Sequence, residues 1–416
     1  DLGGAVARGP AARRPGQVDE APPPRATRVV RTRVRVIDSA PGAVLAPSVP
    51  LALLPPRRRP PFGGPALVSL LFLAGGARLG LLDGDLPVPL WLLLVVGVDV
   101  AHVWSTGWRV YADTEELRRR PALTLGLPAA AYAAGVVLFT AGDLVFWRVL
   151  AYLATFHFVR QQYGWVALYR RKSGENAEEG AAWERRLDAA VVYGATLAPL
   201  VWWHARLPRR FHWLIAGDYA AGLPAWAGPA ALAAFETVFA LWVGKEARRL
   251  ATGRPVSWGK VLVVVTTALV WHLGIVVFDS DYAFAVTNVL VHGVPYFGLV
   301  LQSVRSSAAA RAAAGRKPVL ADLGARHAAL FMAPLLLLAF LEEWGWDLLV
   351  WHENGALFPG GAIDPGPLLL SLLVPLLALP QATHYLLDAW IWKVKPENRA
   401  AAQAVGLAAP ADADAR

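Results

Sequence analysis

His384 and Asp388 stand four residues apart in "PQATHYLLDAWIWKVKP", a stretch apolar enough for lipid. An imidazole and a carboxylate on one helix face are expensive to place in hydrocarbon, and such side chains within spans mark sites or pathways. Three more stretches repeat the arrangement. "VDVAHVW" sets Asp99 three residues before His102, "TFHFVRQQYGW" sets Gln161 four after His157 with Arg160 and Gln162 alongside, and "TNVLVHGVPYF" sets Asn288 four before His292. The chemistry this suits is metal binding. His102, His157, His292 and His384 are the candidate ligands as neutral imidazoles, and Asp99, Gln161 and Asp388 are ligands themselves or partners that fix the ring tautomers. His272, in "LVWHLGIVVFDSD", is a fifth candidate ligand, expected nearer the outer end of its helix and so in an outer layer. Arg160 is expected either to face an acidic substrate head group or Asp99, or to snorkel to the interface. The bland alternative is that each pair is a local knot gluing helices together. His204, His212, His327 and His352 fall at run ends or in loops, where partly solvated histidines need no special role.

The elements that must position these residues are membrane helices. The chain is 56% hydrophobic with 18 tryptophans in 416 residues and a mean hydropathy of +0.41, outside the range of an ordinary soluble domain. Runs long enough to cross about 30 Å of hydrocarbon recur at 65–83, 86–106, 121–142, 145–167, 187–204, 223–244, 258–278, 282–302, 327–348 and 366–392. The expected fold is therefore an all-α transmembrane bundle of about ten spans. Arg118 to Arg120, Arg170 to Lys172, Lys245 to Arg249, Arg305 to Lys317, Lys393 and Lys395 fall on one side of that arrangement, while "DGDLP", "DSD" and "HENGALFPGGAIDPG" fall on the other. By the positive-inside rule both termini are expected in the cytoplasm, in a bacterial-type inner membrane. Arg206, Arg209 and Arg210 break the pattern. Depth then places His102, His157 and His384 in the cytoplasmic third and His292 near the midplane. Gly293 and Pro295 are expected to break their helix locally.

Residues 1–63 are rich in Pro and Arg and read as disordered, with no signal-peptide pattern; since the chain opens at Asp1 and not Met, its natural start is expected elsewhere. Residues 64–395 are the expected helical domain and 396–416 a disordered tail. The formal charge of +9 is accounted for by loop arginines, so no nucleic-acid partner is expected. With no cysteine, disulfides, iron–sulfur clusters and Cys-type zinc sites are excluded, and any metal here is held by nitrogen and oxygen. The His-Glu-x-x-His helix, the Gly-x-Ser-x-Gly elbow and the phosphate-binding glycine loop are all missing.

In kind, these histidine-bearing spans resemble the integral-membrane histidine-cluster enzymes: fatty-acid desaturases and hydroxylases, and Brp/Blh-type carotenoid-cleaving oxygenases. "TFHFVRQQYG" is similar to a His-Phe element of the Brp/Blh group, and "THYLLD" presents a His-x3-Asp. The paired-histidine boxes of desaturases are not reproduced, because no two histidines lie within seven residues of each other. His384 and Asp388 also resemble the style of ceramidase-like hydrolases, which hold zinc with three histidines and an Asp. The resemblance implies iron, with zinc as the alternative, and oxidation of a lipid or isoprenoid with an electron-transfer partner. Phe156, Phe158, Trp165, Tyr296 and Phe297 would line the substrate cavity. Competing expectations are a zinc lipid hydrolase, a proton-coupled transporter using Asp99, His157, Asn288 and His384, a bis-histidine haem protein, and a protein with no chemistry. No inverted repeat of the transporter kind is found in the sequence.

Overall fold

Apolar runs punctuated by Pro, Gly and charged clusters become helices almost without exception. The computed structural model describes residues 63–393, all within one compact unit. The expected N-terminal segment, apart from Gly63, and the expected C-terminal tail lie outside the described residues. Among the described residues there is no strand. The helices are α1 (Gly63–Leu79), α2 (Val88–Val110), α3 (Thr114–Arg119), α4 (Ala122–Ala141), α5 (Asp143–Lys172) and α6 (Ala181–His204). They continue as α7 (Ala227–Ala251), α8 (Trp258–Val277), α9 (Asp281–Ala313), α10 (Ala321–Arg326), α11 (Ala328–Trp351) and α12 (Gly366–Ile391).

Seven of these, α2, α4, α7, α8, α9, α11 and α12, are long and apolar enough to cross a membrane. The remaining long helices fall short for physical reasons: α1 has 17 residues, and α5 and α6 carry polar and charged groups along their length. The outer surface is apolar, with Leu71 at 63% exposure, Val137 at 68%, Leu241 at 60% and Leu368 at 83%. Side chains like these, spread over many helices, belong against lipid tails. Together the two observations mark a membrane protein.

Helices α2, α5, α9 and α12 form the centre. α2 packs on α9 and α12, and α12 packs on α5; Phe158 of α5 stacks on His292 of α9 with ring centroids 3.6 Å apart, which closes the ring of four. Gly293 is what lets α9 approach α2. A Cβ there would stand 2.7 Å from Val98 Cγ1. The expected break at Gly293 and Pro295 does not occur, since α9 runs on through both to Ala313. Instead the helices widen to π-type turns just before two of the histidines, at Leu92–Val100 ahead of His102 and at Ala285–Val289 ahead of His292. Insertions of this type recur at functional sites because they re-aim the following side chains.

One end of the bundle is tied by a buried ionic network. Lys260, fully buried, sets its Nζ 2.7 Å from Glu175 Oε2, 2.7 Å from Glu246 Oε1 and 3.4 Å from Asp188 Oδ2. Arg170 and Lys245 both bond Asp188, which also accepts from Trp242 Nε1 at 2.8 Å. Three cations and three carboxylates from α5, the turn after it, α6, α7 and α8 thereby balance.

Candidate metal centre

Four imidazoles converge. His102 (α2), His157 (α5), His292 (α9) and His384 (α12) are each at most 4% exposed, and one ligand nitrogen from each lies within 4.8 Å of the others. His292 Nε2 is 3.1 Å from His102 Nε2, and His384 Nε2 is 3.1 Å from His157 Nε2. All four therefore stand at one level of the bundle, which corrects the expectation that His292 lies deeper than the rest. For His157 the reason is helix length: α5 runs five residues beyond the expected span and puts His157 at its middle.

The outward nitrogens of His102 and His384 show which tautomer those two rings take. His102 Nδ1 lies 3.3 Å from Val98 O, an acceptor only, so Nδ1 carries the proton and Nε2 is bare. The case of His384 runs through three residues. Asp388 Oδ1 receives two donors, Tyr296 O–H at 2.5 Å and Trp392 Nε1–H at 3.1 Å. Tyr296, having given its proton to Asp388, accepts from Thr106 O–H at 3.2 Å, and Thr106 Oγ1 in turn accepts from His384 Nδ1–H at 2.7 Å. His384 Nε2 is thus bare as well. His157 Nδ1 is turned toward Asp388 Oδ2 at 3.9 Å.

This donor set fits a metal ion. Nitrogens each about 2.0–2.1 Å from a common ion lie roughly 3 to 4 Å apart; the His102–His292 and His157–His384 pairs stand at 3.1 Å, and the whole set within 4.8 Å. Metal-ligating histidines characteristically give their other N–H to a carbonyl or to a carboxylate relay, as His102 and His384 do. A shared proton would satisfy each facing pair separately; a cation satisfies all four nitrogens at once. Nitrogen ligands of this kind suit iron, zinc, copper or nickel.

Other expected residues take different places. Asp99 Oδ1 is 3.7 Å from His102 Nδ1, beyond hydrogen-bonding range. Asn288 donates to Val270 O and Thr287 Oγ1 and not to His292. Gln161 Nε2 donates to the backbone oxygen of His292 at 2.9 Å, bracing α5 against α9. Arg160 bonds Tyr193 Oη and lies over the Tyr163 ring, 5.2 Å from its centroid. His272 is exposed on α8 and stands outside the group of four. Arg109 is buried, 3.4 Å from Glu116.

A cavity of about 710 Å³ opens beside His157 and Asp388. Phe156, Trp165 and Tyr296 line it as expected; Phe158 instead covers His292, and Phe297 packs into the core. Sequence reasoning missed Thr106 and Trp392 as members of the site and gave Tyr296 only a wall. The signal was present, because Thr106, Gln161, Tyr296 and Asp388 each follow a cluster histidine by four residues. It also missed buried Glu342, which accepts from Trp104 Nε1 at 2.6 Å, and its neighbour Glu343; the sign was "LEEWGWD" inside an apolar run.

Set against protein-family models, curated proteins and solved structures, the chain matches none. Its chemistry is read from the site alone.

Proposed function

We propose that this chain is an integral-membrane metalloenzyme of the non-haem iron oxygenase, desaturase or hydroxylase kind, acting on a lipid or isoprenoid. The observation that supports it is the convergence of four buried imidazole nitrogens, two of them made bare by hydrogen bonds on the far side of their rings. Iron is favoured over zinc by ligand number. Four histidines fill the tetrahedral sphere of zinc and make a closed, structural site, whereas six-coordinate iron keeps two positions open.

Iron held there would supply dioxygen activation. The protein's own groups would do the rest: Phe156, Trp165 and Tyr385 wall the cavity with apolar surface that excludes water. Asp388 keeps the Tyr296 and Thr106 hydroxyls oriented so that the His384 Nδ1 proton stays directed away from the centre. An external electron donor is part of this reading. So is the topology: ten membrane crossings, with the ends carrying Arg118 to Arg120, Arg170 to Lys172 and Lys245 to Arg249 in the cytoplasm of a bacterial-type cell.

Elemental analysis of detergent-purified protein, produced with iron and zinc both supplied, tests the proposal together with oxygen uptake in the presence of reductant and membrane lipid extract. About one iron per chain is expected, lost in His157→Ala and His384→Ala, with lipid-dependent oxygen uptake in the wild type only. Stoichiometric zinc with no iron would turn the reading toward a hydrolase or a structural site; no metal of any kind would end it.

A further inference from the structure

The cavity beside the histidines is not chemically uniform. Arg160, Arg171 and Lys393 line it along with a single carboxylate, Asp388, whose Oδ1 is already taken by Tyr296 and Trp392. Arg171 lies in the last turn of α5 and Lys393 two residues beyond α12, so they stand at the mouth, and the exposed Arg160 sits further along α5, one helical turn from His157. The Arg160 guanidinium has five N–H donors in a planar fork suited to carboxylate or phosphate oxygens. Tyr193 takes a donor from Nη1, and Tyr163 supports the flat face of the group.

A second cavity, of about 590 Å³, continues along the same helix. Its walls include Tyr152, Thr155, Leu200 and His204, and it shares Phe156, Val159 and Leu197 with the first. From Arg171 to Tyr152 the two follow α5 for 19 residues, about 28 Å of helix. Of that length, the 8 residues from Arg160 to Tyr152, about 12 Å of helix, lie beyond Arg160. One end of this joined groove is basic, and the other is apolar apart from Thr155 and the Tyr152–His204 pair.

The geometry points to a substrate that is a single-chain amphipath with an anionic head, a carboxylate or a phosphate monoester, whose head is bound by Arg160 and whose apolar chain runs past His157 into the groove between α5 and α6. This rests on the metalloenzyme reading and narrows its substrate class. Arg171 and Lys393 draw the anion to the mouth, and the fork of Arg160 fixes how far the chain advances beyond it.

Competition binding by native mass spectrometry, on the metal-loaded full chain in a nonionic detergent, separates the possibilities. The probes are an 18-carbon fatty acid against its methyl ester, and a 20-carbon prenyl monophosphate against the prenyl alcohol. At least one anion is expected to bind ten-fold or more tightly than its neutral partner, and the pair that shows it identifies the head. Arg160→Gln should abolish that preference, Arg160→Lys should retain part of it, and the metal content of both should match the wild type. Equal binding within both pairs, tighter binding of the neutral members, or a preference that survives in Arg160→Gln would overturn the assignment. The metal content of the same samples reports separately on the metalloenzyme reading, so loss of one is not mistaken for loss of the other.

Discussion

At the scale of single residues, the centre depends on which nitrogen of each ring carries the proton. Thr106 and Tyr296 hold no metal, yet they connect His384 Nδ1 to Asp388. Removing either hydroxyl leaves the Nδ1 proton without its acceptor chain and frees the ring to take the wrong tautomer. Thr106→Val and Tyr296→Phe are therefore expected to weaken metal affinity about 10–100-fold, measured by competition with a chelator of known strength, while Thr106→Ser stays near wild type. All four cluster histidines were legible as polar residues in apolar runs. Their partners were only half legible, for a reason of direction. Helix neighbours at three and four residues lie on both sides of a given position, and sequence favoured the upstream Asp99 and Asn288 where the fold uses the downstream Thr106 and Tyr296.

At the scale of elements, the centre needs α9 against α2 and a firm end to α5. Gly293→Val places methyl groups where Val98 already stands; it should cost about 1–3 kcal/mol of stability as an overpacked contact and should lower metal content as His292 moves away from His102. Lys260→Met leaves Glu175, Asp188 and Glu246 buried with one cation fewer. A broken buried network of this kind costs about 3–5 kcal/mol, read as a fall in the thermal midpoint in detergent. The connection after α5 adds a pH response. The hydrogen bond from Arg249 holds the Glu178 carboxyl down at about 2 from an ordinary 4.5. A depressed carboxyl stabilises the fold above its unfolded value and loses that contribution as pH falls through the folded one. Thermal midpoints should accordingly drop between pH 4.5 and 2 and drop less in Glu178→Gln, which starts lower at pH 6. Most of these elements were visible as apolar runs. The full extent of α5 was not, because Arg170, Arg171 and Lys172 end the apolar run while the helix itself goes on to Lys172.

At the scale of the whole molecule, the exposed leucines and the seven apolar helices define a body made for lipid, with a polar centre inside it. Helix content and membrane character follow from composition, because in hydrocarbon every backbone group must be satisfied within its own segment. Convergence does not follow from composition: which helices meet is decided by contacts between residues far apart in the chain, such as Tyr296 with Asp388, and no local spacing encodes them. The proposed topology is open to direct measurement, since a chain without cysteine accepts single reporters cleanly. Ser173→Cys and Gly315→Cys should react with an impermeant maleimide only in inverted vesicles, and Asp83→Cys and Asn354→Cys only in right-side-out cells.

The central claim, that four imidazoles share one ion, is most directly tested by X-ray absorption at the metal edge of the purified, metal-loaded chain. The account expects four nitrogen scatterers about 2.0–2.2 Å from the metal, with the outer-shell pattern of imidazole carbons, and one fewer imidazole in His292→Ala. A first shell of oxygen alone, or an imidazole count unchanged in that variant, would mean that the rings are paired only with each other and that the metal lies elsewhere.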